Sequence, residues 1–330
     1  MPKILITREI PRAGINLLKQ HPELELDYRC GPPLSEKELL DSISGVDAIL
    51  PVIPDKITKE VIDAAGKNLK IISTYSVGYD HIDVDYATSK GIFVGNTPGD
   101  KTTKSVAGHA LAMILAIGNK LVDADEYCKQ GKYKYWEPMK FLGTRTTDKT
   151  LGIIGFGRIG KHLARMAVGL EMKVLYNDKI KLSVEEENKL KVTYSTKENL
   201  LENSDFVSIH CNLCDDTRHL IGEHEFHLMK PEASLINTSR GAIVNEEALV
   251  RALTEGWIQG AGLDVFENEP KIHPGLLKLK NVILTPHVAS GTREVRIQMA
   301  LLATQNIIDV LINNKPPTHL VNKNLISSII

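Results

Sequence analysis

Hydrophobic positions along this chain fall into short continuous runs, separated by stretches in which they recur every third or fourth residue. The runs have the length and β-branched content of buried strands. The intervening stretches have the period of helices packed by one face. Early strand candidates are residues 4–6, 48–52, 70–74 and 93–96. Ser35-Glu36-Lys37-Glu38 is a capping box that opens a helix through Leu39, Leu40 and Ile43. Thr58 is a cap candidate for a helix carrying Val61, Ile62 and Ala65, and Gly66 stands just past its end. Such alternation implies a largely parallel sheet.

Asn96-Thr97-Pro98-Gly99 reads as a turn, and an apolar helical stretch over residues 105–119 is the expected connection between domains. The polar, aromatic-bearing stretch over residues 133–141 is a candidate subunit contact. A second series of strands is predicted at residues 151–155, 173–178, 192–194, 206–210, 234–238, 260–265 and 282–285. Helices fall between most of them. Asn245-Glu246-Glu247, for example, opens a pattern with Leu249, Ala252 and Leu253 that Gly256 closes. The final helix, residues 293–313, is ended by Pro316-Pro317, and the tail is expected to return as a strand or strap.

Composition narrows the class. A chain of 330 residues suggests two domains. Its 42% hydrophobic and 25% charged residues are those of a soluble globular protein. With 40 Lys and Arg against 41 Asp and Glu, it has no basic footprint for nucleic acid. No window is apolar and long enough to predict a membrane span. Met1-Pro2-Lys3-Ile4-Leu5-Ile6-Thr7 reads as a short strand rather than a signal peptide. Four cysteines fit a reducing cytoplasm better than a disulfide framework.

The strongest local signal is Leu151-Gly152-Ile153-Ile154-Gly155-Phe156-Gly157-Arg158-Ile159-Gly160. Here Gly155, Gly157 and Gly160 stand at G-x-G-x-x-G spacing between a strand and a helix. The first glycine permits a tight turn, the second lets backbone approach a pyrophosphate, and the third lets helix pack on strand. The helix start offers free N–H groups to the phosphates. Asp178 ends the next predicted strand, where a carboxylate accepts hydrogen bonds from an adenosine ribose and repels a 2′-phosphate. NAD is therefore expected over NADP, with Lys179 and Lys181 softening that preference. Arg240, Glu269 and His287 each follow a later strand, at the sheet end where open α/β folds bind ligands. Together they supply a complete hydride-transfer site. The reading is an α/β fold of two Rossmann-like doubly wound parallel-sheet domains, the nucleotide-binding one inserted into the other. Residues 1–99 and 287–330 are assigned to the substrate-binding domain, and residues 100–286 to the NAD-binding domain.

Asn237-Thr238-Ser239-Arg240-Gly241, Asp264-Val265-Phe266-Glu267-Asn268-Glu269-Pro270 and Thr285-Pro286-His287 resemble the three signature blocks of the D-isomer-specific 2-hydroxyacid dehydrogenases. Tyr75-Ser76-Val77-Gly78-Tyr79-Asp80-His81-Ile82-Asp83 resembles that family's substrate loop. Trp136-Glu137-Pro138 followed by Phe141-Leu142-Gly143 looks most like the glyoxylate/hydroxypyruvate and 2-ketogluconate reductase branch. The resemblance implies that His287 exchanges a proton with the substrate oxygen, Glu269 orients His287, and Arg240 binds the 2-oxo acid. It implies that the N–H groups of Val77 and Gly78 hold the substrate carboxylate and that Asp264 orients the nicotinamide carboxamide. Arg158, Ile159, Thr103, His210, Cys211, Thr217, Thr238, Ser239 and Ala289 complete the implied cofactor lining. It also implies a homodimer acting on small 2-oxo or 2-hydroxy acids.

The chain departs from the family pattern in three places. Gly108 stands where the family usually has an acid, the loop from Pro98 to Ser105 is one residue longer, and Asn212 replaces a usual proline. A same-fold phosphite dehydrogenase and an NAD(H)-sensing corepressor share much of this framework. The formate-oxidising branch has Gln where this chain has Glu269. Cys211-x-x-Cys214 lacks a second pair for zinc, so no metal is expected. His219, His224 and His227 form no metal motif and are assigned to an ordinary surface helix.

Overall fold

The structure is a computed structural model and describes residues 1–329. The chain forms two compact units, one of Met1–Thr102 with Gly291–Ile330 and the other of Thr103–Ser290.

The first unit runs β1 (Lys3–Ile6), α1 (Arg12–Leu18), β2 (Glu25–Tyr28), α2 (Glu36–Ser42), β3 (Ala48–Leu50), α3 (Lys59–Ala65), β4 (Ile71–Ser73), α4 (Val84–Ser89) and β5 (Phe93–Gly95). Its five strands are parallel, in the order β2-β1-β3-β4-β5. Strand alternation builds two cores. Ile4 and Ile6 pack on one face, whereas Leu5 packs with Ile49 and Ile72 on the other. Both capping-box bonds of Ser35 and Glu38 form at α2. Thr58 does precede α3, but its side chain makes no capping bond, while Gly66 ends the helix at φ 83°.

Hydrophobic patterning missed α1, β2 and the short α4. Helix α1 follows Pro11 without a side-chain cap, and β2 is a half-polar edge strand whose Leu26 and Tyr28 pack at the core margin. After the second unit the chain returns as α12 (Arg293–Leu311), numbered in chain order after the second unit's helices. Gly14 is small enough to let α1 close on Ala300. The Ser73 hydroxyl donates to Ala303 O at 2.9 Å, and Asn306 Nδ2 donates to Asn96 O at 3.1 Å. The expected return strand is reduced to a single antiparallel bridge, Gly95 to Leu320, followed by α13 (Asn324–Ile329).

Helix α5 (Asp100–Gly118) begins earlier than residue 105, so the stretch after the turn is already helical. It leads to α6 (Leu121–Lys129), β6 (Thr150–Ile154), α7 (Arg158–Gly169), β7 (Lys173–Asn177), α8 (Val184–Leu190), β8 (Thr193–Tyr194), α9 (Lys197–Asn203) and β9 (Phe206–Ile209). Then come α10 (Glu223–Leu228), β10 (Ser234–Asn237), α11 (Glu246–Glu255), β11 (Gly260–Leu263) and β12 (Val282–Leu284). The seven strands are parallel in the order β12-β11-β10-β9-β6-β7-β8. The chain moves one way from β6 to β8, then starts again on the other side with β9. That reversal creates a crevice at the carboxyl ends of β6 and β9, where doubly wound sheets bind ligands. No single helix among the described residues is long and apolar enough to cross a membrane.

Candidate active site

The glycine loop lies at this reversal, and its three glycines serve three different needs. Gly155 has φ 89°, and a Cβ there would run into the backbone of His210 and Cys211 beyond β9. A Cβ on Gly160 would press on Gly155 O, so the helix can approach the strand only without one. At Gly157 a Cβ would meet nothing within 4 Å. Gly157 is also the N-cap of α7 and leaves the helix start without a side-chain cap. Protein packing therefore explains Gly155 and Gly160, while the space beside Gly157 is left for something other than protein. Arg158 and Ile159 open α7 directly behind it.

Asp178 follows β7, with one carboxylate oxygen accepting from Phe156 N at 2.6 Å and the other from Ile180 N at 3.0 Å. The ribose-site candidate is thus bound to the glycine loop itself. Lys179 pairs with Asp216 at 2.7 Å, both side chains largely exposed. His210 Nε2 lies 2.9 Å from Ser208 Oγ, while buried Nδ1 has no partner among the described residues. Desolvation pushes the His210 pKa down to about 4, so the ring is neutral at neutral pH. Burial pushes the Cys211 thiol up to about 11, which keeps it protonated. Thr217 braces the following loop by donating to Asn212 O at 2.6 Å and accepting from Cys214 N at 2.8 Å. The Ser239 hydroxyl donates to Cys211 O, and the buried Thr238 hydroxyl has no partner among the described residues. Thr103 is buried in α5, next to a buried Thr102 hydroxyl that also has none.

Arg240 follows β10 in a turn set by Asn237, whose Nδ2 donates to Arg240 O at 2.8 Å and whose Oδ1 accepts from Ser239 N at 3.0 Å. Gly241 then lies against the Phe266–Glu267 backbone, closer than any side chain would permit. Glu269 accepts from Phe266 N at 3.1 Å with one oxygen, and its other oxygen lies 2.9 Å from His287 Nδ1. Burial works to raise the Glu269 pKa, but the His287 hydrogen bond and charge outweigh it, with smaller help from Phe266 N–H and Arg240. The carboxyl is held below its ordinary range.

His287 has φ 52°, an uncommon conformation for a non-glycine residue, and Asp264 secures the loop that carries it. Asp264 is fully buried and accepts from Thr285 Oγ1 at 2.6 Å and from Val288 N and Ala289 N at 2.8 Å each. His287 N donates to Asp264 O at 2.8 Å, and His109 Nε2 lies 3.1 Å from Thr285 Oγ1. His109 Nε2 also lies 3.6 Å from Asp264 Oδ1, so the carboxylate is enclosed by the segments it joins.

The second unit therefore brings Arg240, Glu269 and His287 into one electrostatic group. Val77 and Gly78 belong to the first unit, where Ser76 Oγ donates to Gly78 O at 2.6 Å and Asn96 Nδ2 to Val77 O at 2.7 Å. Periodicity and motif spacing missed His109, Glu246 and Glu267. Its place in Asn245-Glu246-Glu247 marks Glu246 only as part of a helix start, yet it is 5% exposed. His219 is corrected: it lies ahead of α10, not on it, with Nε2 2.6 Å from Glu267 Oε1. The signal for these residues is contact across distant segments, which a single sequence does not carry.

Residues 111–289 match the family model described as the NAD binding domain of D-isomer specific 2-hydroxyacid dehydrogenases. The chain is 46% identical over 333 aligned positions to a glyoxylate reductase of Thermococcus litoralis, covering 99% of this chain and 98% of the relative. Among solved structures, a glyoxylate reductase from Paecilomyes thermophila superposes with a TM-score of 0.85 at 32% identity, covering 98% of this chain and 99% of that one. An NADPH-dependent glyoxylate/hydroxypyruvate reductase from Sinorhizobium meliloti, solved with citrate, gives 0.83 at 30% identity, with 98% of each chain covered.

Proposed function

Because the chain belongs to the D-isomer specific 2-hydroxyacid dehydrogenase family, we propose that it reduces a small 2-oxo acid of the glyoxylate, hydroxypyruvate or 2-ketoaldonate type with NADH. The observation that carries this reading is the His287–Glu269 pair at 2.9 Å beside Arg240, at the carboxyl ends of the sheet that carries the glycine loop.

The residues present fit a dinucleotide. Space beside Gly157, an uncapped α7 start and the buried unpartnered atoms His210 Nδ1 and Thr238 Oγ1 are what a bound phosphate and its flanking groups would use. Gly155, Gly157, Arg158, Ile159 and Gly160 would hold the pyrophosphate, and Asp178 the adenosine ribose. Thr103, His210, Cys211, Thr217, Thr238, Ser239 and Ala289 would line the remainder. NAD(H), when bound, supplies or accepts the hydride.

The rest is the work of side chains. His287 would pass a proton from Nε2 to the carbonyl oxygen during reduction and take it back in oxidation. Glu269 would fix the orientation of the ring through Nδ1. Arg240 would bind the 2-oxo acid through its planar fork. Val77 and Gly78 N–H groups would hold the carboxylate. Asp264 holds the His287 loop and would also orient the nicotinamide carboxamide. The Asp178 carboxylate favours NAD over NADP by repelling a 2′-phosphate.

The resemblance also implies a homodimer. Tyr133, Tyr135, Trp136, Met139 and Leu142 are all more than half exposed, an apolar group suited to a second copy of the chain.

The test is NAD(P)H oxidation by the purified chain with glyoxylate, hydroxypyruvate, pyruvate and 2-ketogluconate, and NAD(P)+ reduction with phosphite. The expected result is reduction of glyoxylate or hydroxypyruvate, faster with NADH than with NADPH. Turnover of no 2-oxo acid would overturn the proposal, as would turnover of phosphite alone.

A further inference from the structure

Glu246 is a buried carboxylate that the reaction proposed above does not use. It is the first residue of α11, where an acid ordinarily serves only the helix dipole. Its surroundings show more. Glu267 N donates to Glu246 Oε1 at 2.8 Å, and Glu246 N donates to Glu267 Oε2 at 3.2 Å. Each residue thus gives its amide to the other's carboxylate. His219 Nε2, 2.6 Å from Glu267 Oε1, holds the second carboxylate in place, and His219 N donates to Ala242 O at 2.9 Å.

The two joined segments are those carrying the reacting groups. Residues 241–246 follow directly from Arg240, and residues 266–267 lead directly into Glu269. They touch at both ends, with Gly241 against the Phe266–Glu267 backbone and Glu246 against Glu267. Charge-assisted bonds to backbone amides are short and directional, so they restrict where the next residues can stand. We propose that Glu246 and Glu267, locked by His219, form a reciprocal clasp that positions Glu269 against His287 and sets its spacing from Arg240. These are positioning residues, and their role rests on the functional reading above.

Other titratable groups around the clasp are Glu269, His273 and Glu247, the last two paired with each other at 3.0 Å. Burial raises the Glu246 pKa, and the nearby Glu267 and Glu269 charges add to it against the Glu267 N–H bond and His273. Glu247 shares the first turn of α11 but lies outside the clasp and is mostly exposed, which makes it the control for a simple helix-dipole effect.

The experiment compares Glu267→Ala, Glu267→Gln and Glu247→Ala in the full chain. For Glu267→Ala, kcat is expected to fall by roughly 10²-fold, the scale of an ångström-sized misplacement, with KM for NADH unchanged. The acid limb of kcat should move to higher pH, because Glu269 is held below its ordinary range by His287 and a loosened pair lets it rise. Glu267→Gln keeps an oxygen for Glu246 N–H and should recover most of kcat, while Glu247→Ala should match wild type.

Loss of thermal stability with kcat and the acid limb intact would reduce the clasp to an ordinary brace and overturn the proposal. If Glu267→Ala does not fold, His219→Ala at an exposed side chain carries the test with the same signs, and an unchanged kcat and acid limb overturns it. A wild-type chain that reduces no 2-oxo acid breaks the functional reading instead. The clasp is then decided by the downfield proton NMR signal of the His287–Glu269 bond in the protein alone. Its loss in Glu267→Ala but not in Glu247→Ala supports the clasp, and its survival in both refutes it.

Discussion

The two units are built on the same plan, parallel strands with helices on both faces, yet the ends of their first strands differ in kind. Beyond β1 the first unit places Thr7 and Arg8. The Thr7 hydroxyl reaches Asp55 Oδ2, which also accepts from Val52 N at 3.0 Å, and Arg8 lies 3.6 Å from the other oxygen. Asp55 is 4% exposed, so this strand end is filled by its own side chains. Beyond β6 the second unit places Gly155 and Gly157, with space in front and an uncapped helix behind. Architecture is shared; the capacity to take a phosphate is set by a few loop residues. Fold alone therefore says little about which sheet binds, and the site must be argued from its own groups.

Four measurements would break or sharpen this contrast. His287→Ala should cost kcat about 10²–10⁴-fold, the range of a lost general acid, while NADH still binds in a fluorescence titration. Unchanged turnover would remove the second unit's strand ends from the chemistry. Asp55→Ala should lower stability by about 2 kcal/mol in a denaturant melt, since the half-buried Val52 N–H loses its acceptor and the Thr7 hydroxyl keeps only its bond to Leu50 O at 3.3 Å. NADH affinity should not move, and a weakened affinity would mean that the first unit's strand end also serves the cofactor. Gly157→Ala should leave the melting temperature near wild type, because its Cβ would meet no protein atom. NADH binding should weaken about tenfold, or ~1.4 kcal/mol, and equal affinity would show the space beside it is not used. The smallest effect belongs to Gly108→Ala in α5, where a Cβ also meets nothing within 4 Å. Relief of a mid-helix glycine should add about 1 kcal/mol of stability, read as a higher melting temperature.

Much of the fold was legible because it depends on local rules. All seven strands of the second sheet fall where apolar runs place them, and the Ser35–Glu38 box forms as its spacing predicts. Strand β2 escaped because an edge strand needs only part of one face buried, so Glu25 and Asp27 dilute its pattern. Helix α1 escaped because it has no capping side chain, and packing against α12 from the far end of the chain supports it. The sequence around His219 carries no sign of its partner, because Glu267 is distant along the chain.

Stereochemistry and period thus determined, from the sequence by itself, the alternating strands and helices and the glycine loop before α7. They also placed Arg240, Glu269 and His287 beyond strand ends. These features follow from constraints acting over a few neighbouring residues. The pairing of His287 with Glu269 was implied by resemblance; only the tertiary structure decided that Asp264 holds the His287 loop and that Glu246 and Glu267 exchange amide bonds. Each of those contacts joins segments that strand order brings together. A hydrogen bond is decided by distances of tenths of an ångström, which residue spacing along the chain does not encode.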